Sequence, residues 1–402
     1  MTEKIHTEAG APREPAAEVV AACALACVPG MGAGALARVA RAFGSLGGAL
    51  QAGPQALASK AAELHLQRRT SEFLAQRPDL EKLGAWAVST ARAAGARILT
   101  LADASYPPLL RQIGNPPPVL YVRGELPRDP KRVALVGARA ADEAALQLSR
   151  QLGEELAIAG VEVVSGGARG VDAEAHAGAL WGGGRTVAVL GSGIDVPYPP
   201  ENGALFERIA AGGGALVSEL PPGTPASRPN FPRRNRTIAG LSHATVVVRA
   251  TAASGALITA RHAAAQGRAI FAVPGEQGDP LAAGPRHLLA AGSAAPVTCA
   301  REILELLGWS VPGQLAAARD AIPPSRPPGP ASVALPAEQA LDGPALRVWE
   351  LLDGRRPVHV DVLATRAQLR AHEALRWLTE LELKGLIHQK PGKYFLRSRG
   401  WS

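Results

Sequence analysis

Two short segments of this 402-residue sequence combine glycine with arginine in a way that suits the binding of an anion. Residues 136–139 read Val-Gly-Ala-Arg, and residues 165–170 read Ser-Gly-Gly-Ala-Arg-Gly. Glycine lets backbone N–H groups approach a ligand, and the planar guanidinium of arginine matches a phosphate group. Tight strand-to-helix turns would explain the glycines of either segment alone, but two such segments with an arginine each favour an anion site. Its candidate residues are Gly137, Arg139, Ser165, Gly166 and Arg169.

A third segment carries positive charge without any acidic residue. Residues 220–275 contain seven arginines and neither aspartate nor glutamate, so part of this segment is expected to form a cationic surface. An aromatic residue precedes the densest cluster of arginines, where its ring could stack on an unpaired base. The segment therefore predicts binding to a nucleic acid. Its candidate residues are Phe231, Arg233, Arg234, Asn235 and Arg236.

Asp172 and His176 are the pair best placed to act as a general acid and base, because residues four apart share one face of a helix. No serine or cysteine elbow accompanies them, and no pair of acidic residues flanks the expected pocket. An aspartate in the first turn of a helix also complements the helix dipole. We therefore predict that both residues are structural, with Asp172 accepting backbone N–H groups of the preceding loop, and we predict no catalytic residue.

The glycine-rich loops do not fit a bound cofactor or metal. The spacing of Gly137 and Arg139 breaks the dinucleotide-binding pattern, and Gly193 is followed by prolines where a phosphate-binding helix would have to begin. No lysine follows the glycines as it does in an ATP-binding P-loop. Nine scattered histidines and three cysteines lack the spacing of metal ligands. We expect no cofactor and no metal site.

From residue 98 onward, short apolar runs rich in valine alternate with helical stretches. Runs at this spacing are typical of βαβ units, and nearly continuous valine indicates strands buried on both faces. The pattern predicts an α/β fold of the Rossmann-like, doubly wound class with a parallel sheet, whose ligands bind beyond the carboxyl ends of the strands. The predicted strands are 119–122, 133–136, 161–165, 186–190, 215–218, 245–248 and 269–273.

Composition changes divide the chain into five predicted regions. Residues 1–16 read as a disordered tail, 17–90 as a helical cap, 96–310 as the Rossmann-like domain, 311–342 as a proline-rich linker and 343–402 as a winged helix. The cap contains a glycine-rich hairpin at residues 28–32 that resembles a helix-hairpin-helix unit. Such a hairpin either offers backbone N–H groups to a DNA phosphate or serves only the architecture of the cap.

The overall composition favours a globular protein with a polyanionic partner. An apolar content of 47% excludes general disorder, and 43 basic against 35 acidic residues give a net charge of +8. The three cysteines include no CxxC pair, which fits a reducing compartment. No uncharged apolar run reaches about 18 residues. We therefore expect a cytoplasmic protein that does not insert into membranes.

A series of ordered motifs resembles the DNA-processing protein A (DprA/Smf) family. The motifs include Ser165-Gly166-x-Ala168-x-Gly170-x-Asp172-x-x-x-His176, Gly191-x-Gly193-x-Asp195-x-x-Tyr198-Pro199, Phe231-Pro232-x-Arg234-Asn235-Arg236 and Ser254-Gly255-x-Leu257. The resemblance implies a non-enzymatic protein of natural transformation that binds and protects incoming single-stranded DNA. It also implies loading of a RecA-type recombinase and a homodimer formed through the Rossmann-like domain. Ser254 and Gly255 join the candidate DNA-binding residues on this ground.

The sequence departs from the family pattern after Arg139, where Asp142 and Glu143 place two acids near the presumed DNA loop. The sequence leaves two other functions open. A Rossmann-like nucleotide phosphoribohydrolase would need a glutamate in its glycine-rich loop, and residues 254–260 contain none. A winged-helix regulator with a sensory Rossmann-like domain would need sequence-specific binding to duplex DNA.

Overall fold

The computed structural model describes residues 17–317 and, towards the C-terminus, residues 343–352, 358–370, 373–374, 377–378, 381, 387–390 and 394–397. The chain divides into two compact units, residues 1–323 and 324–402. The predicted tail and residues 318–342 of the predicted linker lie outside the described residues.

The first unit begins with five helices: α1 (Ala17–Ala26), α2 (Ala33–Phe43), α3 (Leu46–Ser59), α4 (Arg68–Ala75) and α5 (Leu80–Ala93). Ser45 and Asp79 start α3 and α5 by accepting backbone N–H groups of the first turn. Five consecutive residues of α1, from Ala21 to Leu25, are buried because this helix packs between α3, α5 and the sheet. The cap helices share one hydrophobic core with sheet residues such as Ala188 and Leu216, so cap and sheet form one compact unit.

Nine strands form one sheet in the order β1-β2-β6-β5-β4-β3-β7-β8-β9. They are β1 (Ala96–Thr100), β2 (Val119–Gly124), β3 (Arg132–Val136), β4 (Glu162–Ser165), β5 (Thr186–Val189), β6 (Ala215–Ser218), β7 (Ala244–Val247), β8 (Ala269–Ala272) and β9 (Ala295–Pro296). From β6 to β9 all neighbours are parallel, which confirms the α/β doubly wound class.

The predicted direction of one strand is wrong. The run at residues 119–122 belongs to β2, which pairs antiparallel with both β1 and β6. Between β2 and β3 the chain has only the short segment 125–131, whereas a crossover between parallel strands needs a dozen or more residues. The sheet is therefore mixed, with an antiparallel pair at one edge.

Helices cover both faces of the sheet: α6 (Pro108–Arg111), α7 (Glu143–Ile158), α8 (Val171–Trp181), α9 (Gly203–Ala211), α10 (Asn230–Gly240), α11 (Gly255–Ala265), α12 (Ala283–Ala290) and α13 (Ala300–Leu306), followed by the short α14 (Gly313–Ala317). The chain runs from β3 through β4 and β5 to β6 on one side, and then adds β7 on the other side of β3. The order of the strands thus reverses between β3 and β7, which is where such sheets open a crevice for a ligand.

Helices α7 and α8 touch backbone to backbone. A Cβ atom on Gly178 would lie 1.9 Å from the carbonyl oxygen of Arg150, and one on Gly153 would lie 2.3 Å from that of Ala175. Any side chain at either position would force the two helices apart. Because α7 follows the loop after β3 and α8 follows the loop after β4, this contact fixes the two loops relative to each other.

The second unit contains α15 (Gly343–Glu350), β10 (Val358–His359), α16 (Val360–Arg366), β11 (Ile387–Lys390) and β12 (Tyr394–Arg397). The strands form an antiparallel sheet in the order β10-β12-β11, and Val348, Leu363 and Phe395 contribute to its core. This helix and hairpin arrangement agrees with the predicted winged helix. None of the described helices is long and apolar enough to cross a membrane.

Candidate nucleic-acid interface

A pocket of about 360 Å³ opens at the carboxyl ends of the central strands, where the strand order reverses. The loops after β3, β4 and β7 and one face of α10 form its walls. Backbone hydrogen bonds connect these loops, because Ala138 donates to Arg249 O and accepts from Val171 N. The lining includes Gly137, Arg139, Ala168, Asp172, Arg228, Phe231, Arg234, Asn235, Ser254, Gly255 and Thr259.

An aromatic ring and an exposed cation meet at the mouth of this pocket. The guanidinium carbon of Arg139 lies 4.9 Å from the centre of the Phe231 ring, a cation–π contact. The ring of Tyr198, 40% exposed, lies beside Phe231 with the centres 5.8 Å apart. Within the described part of the chain, neither Arg139 nor Arg228 makes an ion pair. Two accessible positive charges and two aromatic rings therefore border the pocket.

Arg234 occupies the floor of the pocket and is buried. Its Nη1 donates to the carbonyl oxygens of Gly166 and Val189, and its Nε donates to Asn235 Oδ1 at 3.0 Å. Burial lowers the pKa of Arg234 to about 10, which leaves the group charged at neutral pH. Its guanidinium joins the ends of β4 and β5 to α10, so Arg234 has a structural role in the pocket.

The Asp172 carboxylate shapes the loop after β4. It accepts the backbone N–H groups of Gly166 at 3.2 Å and Ala168 at 3.3 Å, and it lies 4.0 Å from Arg234 Nη2. Burial raises the pKa of Asp172, and the charge of Arg234 opposes that rise. These contacts agree with a structural role for this aspartate.

His176 is fully buried and does not reach Asp172. Its Nδ1 lies 2.7 Å from Thr186 Oγ1, which in turn donates to Val163 O. Burial lowers the pKa of His176 to about 3, and the nearby charge of Arg234 lowers it further. The imidazole is therefore neutral at physiological pH and has no route to solvent, which removes it as a general acid or base.

The start of α11 forms the wall opposite the Gly137 loop. Ser254 caps the helix by accepting Ala256 N–H at 3.3 Å, and Asn235 Nδ2 donates to Gly255 O at 3.1 Å. The first turn contains no acidic residue, so the positive end of the helix dipole faces the pocket uncompensated. Ser254, Gly255 and Asn235 thus lie together with Gly137 and Arg139.

Other residues of the predicted site do not line this pocket. Ser165 is buried and its hydroxyl donates to Leu135 O, so its side chain serves the fold, and its part in DNA binding stays a prediction. Arg169 is exposed and forms an ion pair with Glu201, and it lines a smaller cavity beside the pocket together with Arg139 and Phe231. Arg233 and Arg236 point away from the pocket, towards the cap, because they lie on another face of α10 from Phe231. The predicted residues therefore divide between two places.

Glu219 is the carboxylate that meets these two arginines. Its Oε2 lies 2.6 Å from Arg236 Nη2 and 3.4 Å from Arg233 Nε, while its Oε1 accepts the hydroxyl of Thr237 at 3.1 Å. Glu219 therefore pairs with Arg233 and Arg236, whereas Arg234 between them lies near Asp172. Arg236 Nη1 also donates to Asn115 O.

Sequence reasoning missed Tyr198, Arg228 and Thr259 as lining or bordering residues. The Gly-x-Gly segment before Tyr198 follows β5, so the rule that ligands bind beyond strand ends could have found it. The two acids that depart from the family pattern have local roles: Asp142 caps α7 by accepting Ala145 N–H, and Glu143 accepts Gln147 Nε2. In the described ranges no three His, Cys, Asp or Glu side chains gather as metal ligands would.

Comparison with known proteins identifies the same family over most of the chain. A family model described as DNA recombination-mediator protein A matches residues 97–308, and one described as DprA winged helix domain matches residues 330–393. Protein Smf of Synechocystis sp. is 33% identical over 399 residues, which covers 92% of this chain and 96% of that protein. Protein Smf of Escherichia coli is 40% identical over 72% of this chain and 74% of its own length.

A solved structure supports this assignment. The X-ray structure of DNA processing protein A from Streptococcus pneumoniae matches with a TM-score of 0.59 and 28% sequence identity, covering 73% of this chain and 98% of that one. The family models and the relatives confirm the resemblance that the motifs carried. The chain therefore belongs to the DNA-processing protein A (DprA/Smf) family.

Proposed function

We propose that this protein binds single-stranded DNA in the pocket between the loops after β3, β4 and β7. The observation that carries the proposal is the Arg139 guanidinium stacked on Phe231 at the mouth of a cationic pocket. A base reaches Phe231 only after it has left a base pair, because the ring borders a concave pocket and not a flat surface. Arg139, Arg228 and the start of α11 would then hold the adjoining phosphates.

Membership in a family of DNA recombination mediators confirms the expectation of a protein that is not an enzyme. The buried, neutral His176 agrees with this, because it does not act as an acid–base partner of Asp172 at the pocket. We further propose that the protein acts in the cytoplasm during natural transformation, protects the incoming strand and loads a RecA-type recombinase. A homodimer through the Rossmann-like domain belongs to the same proposal.

Binding of single-stranded and duplex oligonucleotides at several salt concentrations tests the proposed site. Arg139→Ala removes one phosphate contact and should lower the slope of log affinity against log salt by about 0.7. Arg128→Ala is the matched control, because Arg128 is exposed at the opposite, amino end of β3. If Arg139→Ala and Arg128→Ala change affinity and slope equally, the pocket assignment is wrong.

A truncated chain separates the pocket from the winged helix. The predicted linker starts too early, because Val311 and Leu315 pack against the core of the first unit. We propose that the region 343–402 is an independent module joined by the later part of the linker, and a chain ending at Pro323 keeps the whole first compact unit. It should stay folded and still prefer single strands. If the truncated chain folds but loses all binding to single strands, the site lies in the winged helix. Preferred binding of one duplex sequence by the full-length protein would favour the regulator hypothesis.

A further inference from the structure

Helix α10 presents two different faces to two different cavities. Positions 231, 234, 235 and 238 follow the i, i+3, i+4, i+7 spacing of one helical face, and they line the DNA-binding pocket. Asn230, Arg233 and Arg236 lie on the other side of the helix and line a second cavity of about 520 Å³. We call it the cap cavity.

The opposite wall of the cap cavity is the glycine-rich hairpin of the cap. Residues 26–33 line it together with Gln67 and Arg69. The hairpin is held against the start of α4, because Thr70 Oγ1 donates to Pro29 O at 2.8 Å. Gly30 has φ +79°, and a Cβ there would lie 2.6 Å from Thr70 Oγ1, so only glycine fits this contact. The hairpin is thus in a fixed position facing α10.

The cap cavity is positively charged. Arg69, Arg233 and Arg236 line it, and among the described lining residues there is no aspartate or glutamate. Glu219, behind the wall, compensates one of the three charges through its contacts with Arg233 and Arg236. Arg69 is exposed, and its Nε donates to the neutral amide oxygen of Gln67 at 2.8 Å. His262 adds no charge, because burial and Arg236 lower its pKa.

We propose that the cap cavity binds the sugar–phosphate backbone of the same DNA strand that enters the pocket, so that the strand crosses α10. This inference rests on the proposed function. The two cavities are separated by the width of one helix, about 10–12 Å with side chains, which a continuous strand can span. Backbone binding follows from the lining, since its described residues offer cations and amides but no Phe, Tyr or Trp on which a base could stack.

The test compares short and long single strands on the full-length protein. A strand of about four nucleotides fills the pocket alone, whereas one of about sixteen can also reach the cap cavity. Arg69→Gln should weaken binding of the long strand about five-fold and leave the short strand unaffected. Arg68→Gln is the matched control, because Arg68 is the neighbouring residue, is 91% exposed and does not line the cavity. It should change neither affinity.

A second pair of variants separates binding from folding. Gly32 precedes α2 with extended backbone angles and lines the cap cavity, and a Cβ atom added to it would have no other atom within 4 Å. Both Gly32→Asp and Gly32→Asn would cap the start of α2 and keep the protein at least as stable. The long strand should bind more weakly to G32D than to G32N, because only aspartate places a negative charge in the cavity.

The outcomes distinguish this inference from the proposed function. If Arg139→Ala weakens the short strand while Arg69→Gln leaves the long strand unchanged, the pocket assignment holds and the cap cavity is not a DNA site. If Arg69→Gln and Arg68→Gln act equally, or G32D and G32N bind the long strand alike, the inference is wrong. If Arg139→Ala leaves the short strand unchanged, the proposed function itself fails.

Discussion

The two faces of α10 carry arginines of the same sequence cluster, but they differ in how that charge is compensated. On the face towards the pocket, Arg234 is buried and binds backbone carbonyls, with Asp172 4.0 Å away. On the face towards the cap, Arg233 and Arg236 share the single carboxylate of Glu219. The number of arginines in a sequence segment therefore does not give the positive charge that a ligand can reach. The accessible cations of the pocket are Arg139 and Arg228, which lie outside this helix.

The largest expected difference between the faces concerns stability. Arg234→Leu leaves two carbonyl groups and the Asp172 carboxylate without their buried partner, so we expect a loss of about 3–5 kcal/mol in the free energy of unfolding. Urea denaturation measures it. Arg228→Leu in the same pocket is the control and should cost less than about 0.5 kcal/mol, because Arg228 is exposed. A stable Arg234→Leu protein that no longer binds DNA would make Arg234 a ligand contact instead.

The next effect is a pH dependence caused by His176, behind the pocket face. Its pKa of about 3 in the folded protein lies below the ordinary value of 6.5, so between these values the unfolded chain binds a proton that the folded protein does not. Stability should therefore fall as the pH decreases, with a slope steeper by about 1.4 kcal/mol per pH unit than in His176→Gln. Unfolding curves between about pH 6 and pH 4 decide it. Equal slopes would show that His176 titrates normally.

A smaller effect distinguishes the two arginines of the cap face. Arg236 has a 14% exposed side chain and lies 2.6 Å from Glu219, so Arg236→Ala should cost about 2 kcal/mol of stability. The side chain of Arg233 is 42% exposed and its Nε lies 3.4 Å from Glu219 Oε2, so Arg233→Ala should cost less than about 1 kcal/mol of stability. Calorimetric unfolding of both variants and of the double variant measures this order. The reverse order would mean that Arg233 is the main partner of Glu219.

The smallest effect on stability is expected for Asp172, the partner of Arg234 in the buried pair. In Asp172→Asn the amide oxygen can still accept the N–H groups of Gly166 and Ala168. The Arg234 guanidinium, 4.0 Å away, keeps its hydrogen bonds to the carbonyl oxygens of Gly166 and Val189. We expect a change in stability below about 1 kcal/mol and nearly unchanged binding of single strands. Loss of several kcal/mol would show that the charge of Asp172, and not its shape, holds the loop.

Much of the sheet was predictable from the sequence, because parallel strands buried on both faces must be almost entirely apolar. The runs at 133–136 and 186–190 correspond to β3 and β5 for this reason. The direction of β2 was not predictable from its own residues, since an apolar run reads alike in either direction. It follows from the short segment to β3 and from pairing with β1, a contact that depends on the folded chain.

The site was predictable to the level of loops but not of single side chains. The loops after β3 and β4 meet because the strand order reverses there, and this follows from the fold class. Whether an arginine is free or buried depends on which way α10 rotates against the sheet. The helical spacing places Phe231 and Arg234 on one face and Arg233 and Arg236 on another, but the sequence cluster does not show which face turns to the pocket and which to the cap.

The glycine contacts between α7 and α8 have a kinetic consequence. The backbones touch at Gly153 and Gly178, and Val171 N–H donates to Ala138 O between the loops that precede these helices, so we expect the two loops to move as one. A DNA strand then binds to a pocket that is already formed, and the protein loses little conformational freedom on binding. The association rate should be limited by diffusional encounter, rising as ionic strength falls, without a slow isomerisation step in stopped-flow traces.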